Sequence, residues 1–207
     1  MAAPLISFLH SRRTPRGALA LAAATALAGC ISFGAEPPPS LLTLSPQSPV
    51  PVGEPQAGAG GGTITVAVPV VPQSLSQPRV PVQATPTTIA YVKEAVWAEP
   101  PARLFARLVS DTLTSRAGRV VVGPAQTNVD PGARLGGELR AFGLDATTRE
   151  AVVTYDATLV RDAATGVQKR RFEARVPVAA IDATTAGTAL NQAANQVAVE
   201  VADWVGR

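Results

Sequence analysis

Reactive side chains are scarce in this chain of 207 residues. It has one cysteine (Cys30), one histidine (His10) and one methionine (Met1), all within the first 30 positions. Beyond that stretch a Ser-His-Asp triad, a Cys-His pair and a His- or Cys-ligated metal site have no members. Aromatic residues are 4% and charged residues 16%, but hydrophobic residues reach 46%, enough to build a core. The formal charge of +3 comes from Arg12, Arg13 and Arg16, in a segment without acids; the remainder holds 15 basic and 15 acidic residues. A balanced chain argues against nucleic acid as a partner, because phosphate binding needs clustered positive charge. No G-x-x-x-x-G-K-[ST] stretch occurs, and the glycines at 58 and 60–62 lack a following Lys. ATP hydrolysis therefore has no machinery here.

What is present begins with an export signal. His10, Arg12, Arg13 and Arg16 form a positive n-region, followed by small and apolar residues from Gly17 to Gly29. That run of 13 is too short to span a bilayer, which takes about 20 apolar residues, and suits a cleavable signal peptide over 1–29. Leu27-Ala28-Gly29-Cys30 resembles the bacterial lipobox. The resemblance implies cleavage before Cys30 and acylation of its thiol. Two or more acyl chains hold a protein stably, where one binds reversibly. Ile31 follows, not the Asp that resembles an inner-membrane retention signal, so outer-membrane sorting facing the periplasm is expected.

Residues 30–62 read as a tether. From Ile31 to Gly62, 13 of 32 residues are Pro or Gly, too many for a packed element. Leu41-Leu42-Thr43-Leu44 is either a strand that returns to the domain or plain linker. The folded domain is expected over 63–207. Thr63 to Val68 alternates as a strand; Gln73 to Pro86 is loop-like; Thr87 to Tyr91 is a second strand. Glu99-Pro100-Pro101 opens a helix, with Leu104, Phe105, Leu108, Val109 and Leu113 on one face and Gly118 as C-cap. Glu99 and Arg103, four apart, are expected to pair. Arg103 and Arg107 are either a solvated face or a patch for a partner or lipid headgroups. Residues 119–122 form a short buried strand. Three antiparallel strands follow over 133–144, 151–160 and 168–178, the first with a bulge near Ala141. A last helix runs from about Thr184 to Val205, capped by Asp182 or Thr184, with Asn191, Gln192, Asn195 and Gln196 on its polar side. The expected fold is α+β: a two-layer sandwich of a mainly antiparallel sheet with two amphipathic helices on one face.

Val66-Ala67-Val68-Pro69, Leu75 to Pro78, Ile89-Ala90-Tyr91 and above all Val96-Trp97-Ala98-Glu99-Pro100 resemble the ABC-type transport auxiliary lipoprotein family, which includes the lipoprotein of the paraquat-inducible MCE system. One departure is Leu42-Thr43-Leu44, where the family often has Tyr-x-Leu. The resemblance implies a non-enzymatic envelope subunit without cofactor, partnered by an MCE-domain substrate-binding protein, an ABC permease and an ATPase in lipid transport. It also implies rings or multimers, so a homo-oligomer is among the partners expected. Trp97 reads either as a core plug or as a partner anchor, since Trp is enriched in binding hot spots; Tyr91 has the same two readings. Tyr91, Trp97 and Glu99 are the candidate partner-binding residues and Cys30 the lipid-attachment site; no catalytic or metal residue is expected. Two other functions compete: an outer-membrane assembly or secretion-machinery lipoprotein, and a glycosidase using two of Glu94, Glu99 and Glu138, which would need a carboxyl pair at fixed separation.

Overall fold

The computed structural model describes residues 40–53, 62–123, 132–161 and 166–206. The signal segment, Cys30 and the glycines at 58–61 lie outside these residues. Seven strands, β1 (Thr63–Val66), β2 (Arg79–Thr85), β3 (Thr88–Val96), β4 (Val120–Val121), β5 (Ala133–Asp145), β6 (Glu150–Val160) and β7 (Val167–Pro177), form one mixed sheet with helices α1 (Pro101–Ala117) and α2 (Ala183–Val205). The fold is the expected α+β sandwich, antiparallel through β2–β3 and β5–β6–β7. The parallel pairings of β5 with β1 and β2, and of β1 with β4, were not expected.

Strand β5 is the spine. One edge pairs with β6 from Arg134 to Asp145. The other edge is shared: β1 takes Ala133 to Leu135, Val70 bridges Glu138, and β2 takes Leu144 and Asp145. The bulge expected near Ala141 is present at Arg140, between the pairs Leu139–Tyr155 and Ala141–Thr154. It swaps the buried phase from Leu135 and Leu139 to Phe142 and Leu144.

Strand β2 corrects the expected loop over 73–86. Pro81 can enter because the ladder with β3 slips around it, from Arg79–Val96 to Pro81–Tyr91. Its other neighbour is Gly143, where an added Cβ would lie 2.4 Å from the Pro81 carbonyl oxygen. The same slip explains why β3 runs five residues past Tyr91: Glu94 takes a left-handed φ of 59° and bulges the strand.

Both helices cover one face. The α1 stripe of Leu104, Phe105, Leu108, Val109 and Leu113 is buried, as is Leu190, Ala194, Val197, Val201 and Val205 of α2. Phe105 meets Tyr155 at 5.2 Å and Phe142 at 6.5 Å, both edge-on. Gly118 closes α1 in the left-handed conformation at φ 59°. Asp182 caps α2 by accepting from the Thr185 amide at 2.9 Å.

The domain starts earlier than Thr63. Leu42 pairs in parallel with Trp97: its amide donates to Val96 O and its carbonyl accepts from the Ala98 amide, both at 2.8 Å. From Leu42 the chain alternates half-buried Leu42, Leu44 and Pro46 with exposed Thr43, Ser45 and Gln47. These residues form a strap along α2. The Ser45 amide donates to Asn191 Oδ1 at 2.9 Å and the Gln47 amide to Asn195 Oδ1 at 2.8 Å; Asn195 Nδ2 returns a bond to Ser45 O at 2.9 Å. Gly187 supplies the space: an added Cβ would lie 2.7 Å from Leu42 Cδ2. The expected polar side of α2 is thus divided. Gln192 and Gln196 face solvent, Asn191 is half-buried and Asn195 is buried.

Candidate functional site

Trp97, Tyr91 and Glu99 lie on or just after β3, and the fold treats each differently. Trp97 is 1% exposed, with its ring 5.3 Å from Phe142. Its amide donates to Pro78 O at 2.7 Å. Of its two readings this is the core plug: the indole presents no surface to a partner in this conformation. Its Nε1 is buried without a hydrogen-bond partner among the described residues.

Tyr91 is half-buried, with the Arg79 guanidinium 4.4 Å above its ring and a long hydroxyl contact of 3.5 Å to Ser74 O. Ile89, two residues earlier, is 47% exposed. Glu99 accepts from Arg107 Nη2 at 2.8 Å, not from Arg103. It precedes the first helical residue, so the spacing rule within a helix does not govern it.

Beside β3 the outer face of the sheet opens into a cleft of about 410 Å³. The small residues Ala141 and Gly143 leave the hollow, with Pro81 and Ile89 on one side and Arg140 and Arg175 on another. These guanidiniums already have partners. Arg140 lies 3.5 Å from Glu138 and 3.6 Å from Asp156; Arg175 lies 2.8 Å from Glu173 and 3.2 Å from Glu150. Arg171 donates to both oxygens of Asp156, at 2.6 and 2.7 Å. The hydrogen bond from Arg171 holds the Asp156 carboxyl below its usual range, and those from Arg175 and Thr154 do the same for Glu173. Tyr155, beneath this face, is shifted the other way by burial and stays protonated, its hydroxyl donating to Gly136 O at 2.6 Å.

The three carboxylates weighed for glycoside chemistry each meet a different cation: Glu94 meets Lys93, Glu99 meets Arg107 and Glu138 meets Arg140. Among the described residues no group of three His, Cys, Asp or Glu is placed to hold a metal. No described helix is long and apolar enough to cross a membrane.

The sequence reading missed two groups. Asn191 and Asn195 hold the strap; their signal was a pair of poor helix formers four residues apart on the polar side of the last helix. Arg119 and Arg161 converge on the last turn of α2, both donating to Val205 O, at 3.1 and 2.9 Å. Burial, followed by the neighbouring Arg161 charge, lowers the pKa of Arg119. No signal short of the tertiary structure pairs these two.

Comparison with known structures supports the fold. A crystal structure of a Xanthomonas campestris protein, described under the family DUF330, is 21% identical with a TM-score of 0.67, covering 81% of this chain and 95% of that one. A second, of an uncharacterized protein, is 17% identical with a TM-score of 0.57, covering 69% of this chain and 90% of that one. No curated protein sequence matches the chain. Residues 42–202 match the family described as ABC-type transport auxiliary lipoprotein component. The match begins at Leu42, the first residue of the strap, and takes in every strand and most of α2. The chain belongs to the family of ABC-type transport auxiliary lipoprotein components.

Proposed function

We propose that this protein is a non-enzymatic subunit of an ABC/MCE-type transporter that moves lipids or other hydrophobic molecules across the cell envelope. Acyl chains on Cys30 anchor it in the outer membrane, with the domain in the periplasm. It acts by docking: Tyr91 and Glu99 offer half-buried groups at the edge of the sheet, and Trp97 sets the geometry of that edge from below. Its partners are an MCE-domain substrate-binding protein and, through it, a permease and an ATPase, which supplies the energy this chain has no motif to provide. The family match over residues 42–202 carries the reading.

The test is affinity purification of the full-length protein from envelopes, followed by identification of co-purifying chains. Recovery of an MCE-domain protein or an ABC permease supports the reading. Repeated recovery of neither, with the bait intact and acylated, overturns it.

A further inference from the structure

The geometry points to one end of the domain as the surface that meets the lipid bilayer, and to the strap as the element that fixes it there. This inference rests on the acyl anchor at Cys30. The sheet has two ends. At one, β5 stops at Asp145, β6 starts at Glu150, β2 turns back into β3 between Thr85 and Thr88, and β7 delivers the chain at Pro177 to the start of α2. At the other end, β6 leaves its ladder at Val160, β7 begins at Val167 and α2 finishes under Arg119 and Arg161.

The strap runs from the first end toward the second. Leu42 lies against Gly187, one turn into α2; Ser45 follows at Asn191 and Gln47 at Asn195. Leu42 also runs parallel to β3, which descends in the same sense from its turn at Thr88. At residues 40–42 the chain therefore enters from the side of the end that carries the β2–β3 and β5–β6 turns and the start of α2.

Length strengthens the point. If the domain began at Thr63, 33 residue steps would separate it from Cys30, and the anchored domain could stand about 110 Å away. With the strap docked, 12 steps separate Cys30 from Leu42, and the reach falls to about 40 Å. That is comparable to the length of the 11-residue strand β6, about 35 Å. Twelve residues span only about 19 Å on average, so the end toward which the chain leaves Leu42 meets the bilayer more readily than the far end. The turn at Thr147 and Thr148 faces the lipid, and the end near Val167 faces away, toward other proteins.

The experiment uses the full-length acylated protein in phospholipid vesicles containing a headgroup-labelled acceptor lipid. Acylation occupies Cys30, so a donor dye can be placed on Thr148→Cys or on Val167→Cys; Val167 is 63% exposed. Energy transfer to the bilayer is expected to be higher from position 148. A Gly/Ser insertion of about 20 residues, adding roughly 25 Å of average span, is then made at either of two places. Inserted after Glu36, it is expected to lower transfer from position 148. Inserted between Gly53 and Gly62, it is expected to leave that transfer unchanged, because the strap holds the chain upstream. Equal losses from the two insertions, or transfer from position 167 matching that from 148, would overturn the inference while leaving the anchor intact. A mature chain whose mass shows no acyl group on Cys30 would overturn the anchor itself, and this inference with it.

Discussion

Truncating Asn195 tests whether the strap is part of the folded unit. The side chain is 2% exposed and makes three hydrogen bonds of ordinary length: from the Gln47 amide at 2.8 Å, to Ser45 O at 2.9 Å and to Asn191 O at 2.8 Å. Each is worth about 1 kcal/mol net, and a partner left buried and unpaired costs more. Ser45 and Gln47 are exposed, so water can replace part of what is lost. The expected destabilisation by Asn195→Ala is therefore about 2 kcal/mol, near the low end for three lost bonds. Asn191→Ala removes one exposed bond to the strap and should cost under about 1 kcal/mol. Urea unfolding measures both: a lower midpoint for Asn195→Ala at unchanged slope is the expected result. Amide exchange at Ser45 and Gln47 should quicken in that variant while Leu139 and Val153, deep in the sheet, stay protected. Wild-type stability together with unchanged protection at Ser45 and Gln47 would refute the reasoning.

Other consequences follow from single contacts. Trp97→Ala should cost about 4 kcal/mol by emptying a buried aromatic site against Phe142; a thermal midpoint near wild type would mean that the indole is not packed as described. Gly143→Ala places a methyl group against the Pro81 carbonyl, backbone against backbone, and should cost about 2 kcal/mol or more; an unperturbed unfolding curve would exclude that close approach. Tyr155→Phe should cost about 1 kcal/mol for the bond to Gly136 O, measured by the same unfolding curves. Asp156 and Glu173 have carboxyls held below their usual range, so the folded state binds their protons less readily than the unfolded chain. Their contribution is present above the unfolded values, near pH 4, and is lost as pH falls through the folded ones. Both lie at the surface, so a stability–pH curve should show a modest acid loss that flattens in high salt; an identical curve for Arg171→Gln would show that the pairing with Asp156 contributes nothing.

Periodicity located the elements that obey one rule along their length. The two helical stripes, the three-stranded meander, the Gly118 and Asp182 caps and the bulge in β5 all follow from local chemistry and from alternation. Strand β2 was illegible because Pro81 and Pro78 argue against a ladder. It exists because Gly143 lets the backbone of β5 come close and β3 slips around the proline. The parallel pairings were equally hidden, since β1 and β2 are neighbours in sequence but share the far edge of β5. Asn195 shows a third kind of blindness. Its polarity suggests solvent, but its partners are backbone atoms 148 and 150 residues away, supplied by a segment whose proline content marked it as tether.

The stretch that carried the family resemblance most strongly, Trp97 to Pro100, is a junction in which each residue has a structural task. Trp97 fills the core beside Phe142, and the Ala98 amide receives the strap at Leu42 O. Glu99 ties down Arg107, and Pro100 with Pro101 starts α1, where a missing amide costs nothing. The stretch therefore joins the strap, the edge strand β3 and the first helix in four consecutive positions. If its residues served only to contact a partner, burying the indole would be wasteful. In this arrangement they instead fix where the strap joins the sheet and the first helix. It follows that substitutions at Trp97 should act through stability and strap exchange, whereas substitutions at Tyr91, which leave the core untouched, should act on partner recovery at unchanged stability. Measuring both properties on both variants separates the two roles, and loss of partner recovery in a stably folded Trp97 variant with a docked strap would return the indole to the binding surface.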